Sequence, residues 1–342
     1  MNRIFAIITL FIISISSYGQ EALRRMAVVE TSTCYMRLEA DYESALETQE
    51  LMGTVVEIVG ESGYWREIVS PQPYKAWTTE KTLVEMSEEQ IKAYEAAPKY
   101  IFTNLYGHIY TEPSEKAATI CDLVGGDVMR VVHKQRANGK ASDKEVGKAA
   151  TKGRWAQVML PSGKTGWVRK ADVRVLGERM NIRMGDSAEG LVSKEQIEAV
   201  IAEAEKLLGV PYLWGGMSAK GVDCSGLVRI SFIMNDILLP RNASQQIFCG
   251  QEIEISPLAS LGRNDREDAL ARTKNLVRGD LVFFGTPATE EKPRRITHVG
   301  IYLGNNKIIH SSHLVRINSL IPSDPDYYEN SHRLIGACRL SN

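Results

Sequence analysis

The sequence has little net charge, few cysteines and only one long apolar run, and each shortage excludes something. Formal net charge over the 342 residues is −1, so nothing favours nucleic acid or an anionic membrane surface as partner. The five cysteines, Cys34, Cys121, Cys224, Cys249 and Cys338, are scattered, with no Cys-x-x-Cys pair and no metal-ligand spacing. That excludes the common zinc motifs. An odd count leaves at least one thiol without an internal partner, and no disulfide is assigned. Cys34 and Cys338 read as buried strand positions, where cysteine behaves as a small hydrophobe. The stretch LWGGMSAKG lacks the spacing of a phosphate-binding loop, and neither a cofactor nor a metal is expected.

The one apolar run, IFAIITLFIISI, follows Arg3 and precedes SSYGQ. It is too short to span a bilayer comfortably. Small Ser17 and Gly19 sit where a signal peptidase needs them for a cut before Gln20, so residues 1–19 read as an export signal. The expectation is an exported monomer, periplasmic or extracellular, with no stable membrane anchor after cleavage.

What is present begins with a repeat. LMGTVVEIV leads to GYWREIVSPQPYKAWT, and LVGGDVMRVV leads to GRWAQVMLPSGKTGWV. Trp65 to Trp77 is twelve residues, as is Trp155 to Trp167. Short alternating strands, a glycine turn and a second tryptophan make the pattern of a small β-barrel. Both copies resemble bacterial SH3-like domains, over 27–86 and 99–177. The second carries a polar, lysine-rich insertion, 135–153, read as an exposed loop. A capping box at Ser87 and Gln90 predicts a linker helix within 87–98, ended by Pro98. Residues 178–192 have no clear period and read as a linker.

The third unit, 193–342, opens with a second capping box, Ser193 to Gln196. Ile197, Val200, Ile201, Ala204, Leu207 and Leu208 then line one helical face. A loop leads to an apolar helix from Cys224 to Asp236 with no clean polar face, hence buried. Strands follow in NLVRGDLVFFG, HVGIYLG, KIIHSS and RLIGACRL. Helices first and an antiparallel sheet after are an α+β arrangement.

Cys224 lies at the predicted first turn of that buried helix. A helix N-terminus and a nearby imidazole both favour a thiolate. Two of the six histidines can supply the imidazole. Gly304 to Asn306 is a turn signal, and a hairpin about it sets His298 and His310 nearly opposite on one face. One ring can take the thiol proton while the other fixes its orientation. His313 is the rival to His310, but on a continuing strand it would point to the other face. His108, His133 and His332 read as surface or packing residues.

The blocks YLWGG, DCSGL, RGDLVFF, THVGIYLG and IIHSS, in that order, resemble the NlpC family of papain-like cell-wall cysteine peptidases over 195–340. The resemblance implies Cys224 as nucleophile, His298 as general base and His310 as the orienting third residue. It also implies Tyr212 as a donor near the oxyanion, beside the Cys224 backbone N–H. Two stretches, 256–276 and 286–295, look like insertions relative to compact members.

Two SH3-like units before such a domain resemble, more narrowly, the γ-D-glutamyl-L-diamino acid endopeptidases. These act on murein peptides with a free N-terminal L-alanine and release L-Ala-γ-D-Glu from lysine or diaminopimelate. The matching positions for the free ammonium are Glu39, Tyr74 and Asp223. Trp214 is implied as a pocket wall, and Ser225 and Ser244 as partners of the D-Glu carboxylate, although Asn242 stands where the subgroup often has Asp. Two other readings stay open: an endopeptidase or amidase acting on intact wall, and a non-catalytic wall-binding protein.

Overall fold

Alternation in the first half of the chain becomes sheet. The computed structural model describes residues 24–71, 73–133, 148–186, 192–256 and 265–341. The export signal at 1–19, residues 135–147 of the polar insertion, residues 187–191 of the linker and residues 257–264 of the 256–276 stretch lie outside them. Among the described residues no helix is long and apolar enough to cross a membrane, and all five cysteines are free thiols.

Strands from Arg25–Val29 to Leu83–Met86 form a seven-stranded antiparallel sheet around Ala27, Cys34, Met36, Val56 and Ile68. Strands from Lys99–Phe102 to Val173–Val175 form an eight-stranded sheet around Phe102, Ile109, Leu123 and Val158. Trp65 and Trp155 are buried at matching places, each at the start of a strand. Helix α1 (Glu88–Ala96) joins the two sheets. The Ser87 hydroxyl takes the Gln90 N–H, and the Gln90 side chain takes the Ser87 N–H.

The third unit begins with α2 (Lys194–Lys206), capped in the same way by Ser193 and Gln196. Its apolar stripe is buried through Leu207, but Leu208 is 46 % exposed. The helix ends at Lys206, so Leu208 has left the helical period that its spacing implied. Helix α3 (Cys224–Ile233) is buried along its whole length. It stops before Asp236, which has φ +60 and ends the helical turns. Five large apolar side chains on α3 are buried, at about 1.5–3 kcal/mol each. That burial holds a β-branched helix in place against its modest propensity. Two short helices follow, α4 (Ala243–Gln246) and α5 (Asp265–Thr273).

The sheet of this unit has six strands, ordered Gln251–Ile253, Leu334–Arg339, Leu281–Thr286, Arg295–Gly304, Lys307–Ser312 and Leu314–Ser319. Neighbours are antiparallel throughout. The last of these strands has no counterpart in the sequence reading. His313, at φ +63, turns the chain back so that Ser312 pairs with Leu314. The strand that carries His310 therefore ends at Ser312 and does not continue through His313.

One strand of the first sheet, Leu46–Leu51, is shared with the third unit. Thr48 Oγ1 takes the Arg241 Nε–H at 2.7 Å, Gln49 Oε1 takes the Met217 N–H at 2.9 Å, and Glu50 pairs with buried Arg229 at 3.1 Å. Leu51 belongs to the same apolar cluster as Val228 and Ile230 of α3, and so do Ile101 and Val128 of the second sheet. The second sheet adds ion pairs from Asp122 to Lys220 and from Arg174 to Asp236. One continuous core thus joins all three units.

Candidate active site

Cys224 is the first residue of α3, and Asp223 caps the helix. Asp223 Oδ1 takes the Gly226 N–H at 2.7 Å and Oδ2 the Gly215 N–H at 2.9 Å. A Cβ at Gly226 would lie 2.0 Å from the Gly216 carbonyl oxygen, so only glycine lets the loop close on this helix turn. The Cys224 sulfur lies against two backbone N–H groups, of Val299 and Ser225. Val299 is the neighbour of His298, so the thiol sits at the strand that carries that ring.

The resting thiol is not the thiolate that a helix start suggests. Burial, and secondarily the Asp223 charge, push Cys224 up to about 11. The two N–H contacts oppose this and do not outweigh it.

The two imidazoles meet, with His298 Nε2 and His310 Nδ1 2.8 Å apart. They are diagonal neighbours rather than directly opposite. Ile301 pairs with Ile309, and an irregularity after Tyr302 shifts the register. This places His310 across from Gly300, where a Cβ would lie 3.2 Å from that of His310. The missing side chain leaves room for the rings to converge. Tyr328 packs edge-on against His310, ring centroids 4.6 Å apart, and Phe284 lies 5.7 Å from His298.

A residue that sequence reasoning missed fixes the direction of this pair. Asn318 Nδ2 donates to the Asp326 carbonyl at 2.6 Å, and Asn318 Oδ1 lies 2.9 Å from His310 Nε2. A carbonyl can only accept, so the amide cannot be turned round, and His310 Nε2 must carry the proton. In a neutral ring His310 Nδ1 then accepts, and His298 Nε2 must donate to it. That leaves the lone pair on His298 Nδ1. Both rings are held neutral. Burial, then the charge of the neighbouring ring, drives His298 down to about 3, and burial drives His310 to about 4 against the opposing Asn318 bond.

Beside His298 opens a cleft of about 440 Å³ lined by Tyr212, Ser311, Ser312 and His313. Tyr212 is tied there by its backbone N–H to the His313 carbonyl at 2.8 Å. Burial, then the charges of Cys224 and Asp223, raise its phenol. His313 therefore borders the cleft without joining the ring pair.

On the other side of Cys224 lies a buried polar cluster. Arg241 bonds both oxygens of Asp223, at 2.5 and 3.1 Å, and its Nη1 donates to Ser225 Oγ at 2.8 Å. Ser225 Oγ in turn donates to Asp223 Oδ1 at 3.2 Å. The Tyr74 hydroxyl donates to Glu47 Oε2 at 2.6 Å. Burial, then Glu47, push that phenol up, and Arg241 and Asp223 are close enough to act on it too. The carboxylate brought to Tyr74 is thus Glu47, not Glu39. Glu39 is exposed in a turn closed by the Leu38 N–H to Ala45 carbonyl bond. Trp214 is 64 % exposed, on the loop before Gly215. Ser244 is exposed on α4 and bonds to neither Ser225 nor Arg241. Glu47 and Arg241 were missed because no local motif marks them and only folding shows which side chains they meet.

The profile of the NlpC/P60 family matches residues 209–332. A γ-D-glutamyl-L-lysine dipeptidyl-peptidase of Bacillus cereus is 27 % identical over 83 % of this chain and 73 % of its own length. The protein of the same description from Bacillus subtilis is 24 % identical over 91 % of this chain and 87 % of its own. Among solved structures, an NlpC/P60 family protein from Bacillus cereus aligns with TM-score 0.66 and 20 % identity, over 93 % of this chain and all of that one. At that identity the likeness speaks for the fold, and it extends across the N-terminal sheets as well as the C-terminal unit.

Proposed function

We propose, from the match of residues 209–332 to the NlpC/P60 family, that the chain is a cysteine peptidase. It cuts the γ-D-Glu–L-diamino acid bond of murein peptides that carry a free N-terminal L-alanine. The observation that carries this reading is the Glu47–Tyr74 pair beside Asp223. It gathers carboxylate and phenol oxygens on the Asp223 side of Cys224, which is where this reading puts the ammonium that ends a short peptide. Such a cation needs charged partners once water is excluded. Glu47 takes the role first given to Glu39, with Tyr74 and Asp223 as proposed. Two relatives matching over most of the chain are named γ-D-glutamyl-L-lysine dipeptidyl-peptidases, which supports this reading. Trp214 is assigned as a wall of the acyl pocket, and Ser225 and Ser244 as candidates for the D-Glu carboxylate. Export, read from the apolar run at residues 4–15, belongs to the proposal.

The chemistry follows from the ring order. Cys224 Sγ attacks the γ-carbonyl carbon as its proton passes to His298 Nδ1. Burial disfavours the charged form of both groups, so the thiol proton moves to the ring as a bound substrate takes up the sulfur's charge. His310 receives the His298 Nε2–H and so steadies the imidazolium that forms. The oxyanion meets the Cys224 N–H and the Tyr212 hydroxyl. The carbon–nitrogen bond breaks as His298 returns the proton to the leaving amine, giving a thioester. Water, deprotonated by His298, then attacks the thioester, releasing L-Ala-γ-D-Glu and restoring the thiol.

The test compares L-Ala-γ-D-Glu-L-Lys with its N-acetylated twin. We expect the free peptide to be cut and the acetylated one to lose roughly a hundredfold or more in kcat/KM, with Cys224→Ala inactive on both. Equal cutting of the two would remove the ammonium site and favour an endopeptidase acting on intact wall.

A further inference from the structure

The leaving-group side of the site carries charge that the reaction above does not use. Strand Leu314–Ser319 pairs with Lys307–Ser312 so that Arg316 stands across from His310, between Asn318, which holds that ring, and Leu314, which faces Ser312. Side chains of such a pair leave the sheet on the same face. Arg316 therefore emerges beside the two rings and next to the cleft-lining Ser312. Its Nε is buried without a hydrogen-bond partner, and no carboxylate among the described residues pairs with its guanidinium. Its charge reaches His298, His310 and Tyr328. Arg333, whose Nε donates to the Gly285 carbonyl at 3.3 Å, adds a second positive charge at His298. Asp324 and Asp326, in the turn that follows this strand, are engaged by Lys307.

A half-buried guanidinium without a counter-ion is costly unless something supplies the anion. The two ends of the groove thus differ in sign. Glu47 and Asp223 stand at the acyl end with Arg241, whereas Arg316 and Arg333 stand at the other end, neither of them ion-paired to a carboxylate among the described residues. His298 must protonate the leaving amine, so the leaving diamino acid lies on the His298 side. A murein tripeptide has the matching polarity, an ammonium at its alanine and a carboxylate at its diamino acid.

We propose that Arg316, supported by Arg333, is a specificity-determining residue that binds a carboxylate of the leaving diamino acid. The inference rests on the dipeptidyl-peptidase reading above. Two carboxylates could fill the site, the C-terminal α-carboxylate of any tripeptide or the side-chain carboxylate of diaminopimelate. Guanidinium recognises either by the same charge-assisted hydrogen bonds.

Four peptides separate the possibilities: L-Ala-γ-D-Glu-L-Lys, its C-terminal carboxamide, L-Ala-γ-D-Glu-meso-diaminopimelate, and the last amidated on its side chain. Each is assayed with the unmodified full chain, Arg316→Gln and Arg316→Lys. One amidation should raise KM by roughly tenfold or more, with kcat changed little, and which one does so identifies the carboxylate. Arg316→Gln should weaken the free peptides by a similar factor and no longer distinguish them from their amides, and Arg316→Lys should recover part of the loss. Equal cutting of acid and amide by the unmodified chain would overturn the inference. So would an equal loss on all four peptides in Arg316→Gln, which marks a framework role. Failure of the unmodified chain on all four overturns the peptidase reading itself and the inference with it.

Discussion

At the scale of single residues the site turns on one amide. Asn318 cannot turn over, because the Asp326 carbonyl accepts from it and from the Ser319 N–H. Through His310 that constraint decides which nitrogen of His298 is bare. Asn318→Leu keeps the volume and removes the constraint. We expect kcat to fall roughly ten- to a hundredfold with KM nearly unchanged. Nitrogen NMR should then show mixed tautomers in both rings, a signature that a mere packing defect would not produce. Asn318→Asp restores the acceptor and should recover part of the rate. Cys224, His298 and His310 were legible because a local motif and an even spacing carry them. Asn318 was not, since its meaning depends on a carbonyl eight residues away in a turn. Glu47 was hidden for a related reason: Glu39 and Glu47 flank the same turn, and only folding shows which one meets Tyr74.

At the scale of elements, the hairpin Arg295–Gly304 with Lys307–Ser312 carries two neutral rings that the unfolded chain would protonate. An unfolded histidine titrates near 6.5, and the folded values are about 3 and about 4. Between these limits the unfolded state binds more protons, so stability is full above about pH 7 and falls as pH drops toward 4. Each ring should contribute about 2–3 kcal/mol of that loss near pH 4.5. Urea midpoints at the two pH values, compared with the double variant His298→Asn and His310→Asn, measure it. A double variant with the same acid sensitivity would contradict this account. Both capping boxes, the buried α3 and four strands of the last sheet were readable from periodicity and turn residues. The strand Leu314–Ser319 was not, because His313 adopts a left-handed conformation for which the sequence gives no glycine or asparagine signal. The strand KIIHSS was read with its observed bounds, and what was missed is the strand that begins beyond His313.

At the scale of the whole molecule, three units share one core, and strand Leu46–Leu51 does most of the joining. Arg229 and Glu50 are an ion pair almost wholly out of water. Such a pair adds little net stability, but removing one partner strands the other, at about 3–5 kcal/mol. Glu50→Gln should therefore lower the thermal midpoint of the entire chain in one transition, as calorimetry would show. Two separate transitions would mean that the sheet and the peptidase unit melt independently. The repeat and the linker helix were visible in the sequence. That the first sheet supplies Glu47, Thr48, Gln49 and Glu50 to the peptidase unit was not, because each pairs with a residue more than 160 positions away except Glu47, whose partner is Tyr74. The shared strand also bears on descent. A gene fragment encoding only the C-terminal unit would inherit the thiol and the rings but strand the Arg229 guanidinium without Glu50 and take Thr48 from Arg241, so recombination that moves this unit alone carries a folding penalty that substitution within the intact reading frame avoids.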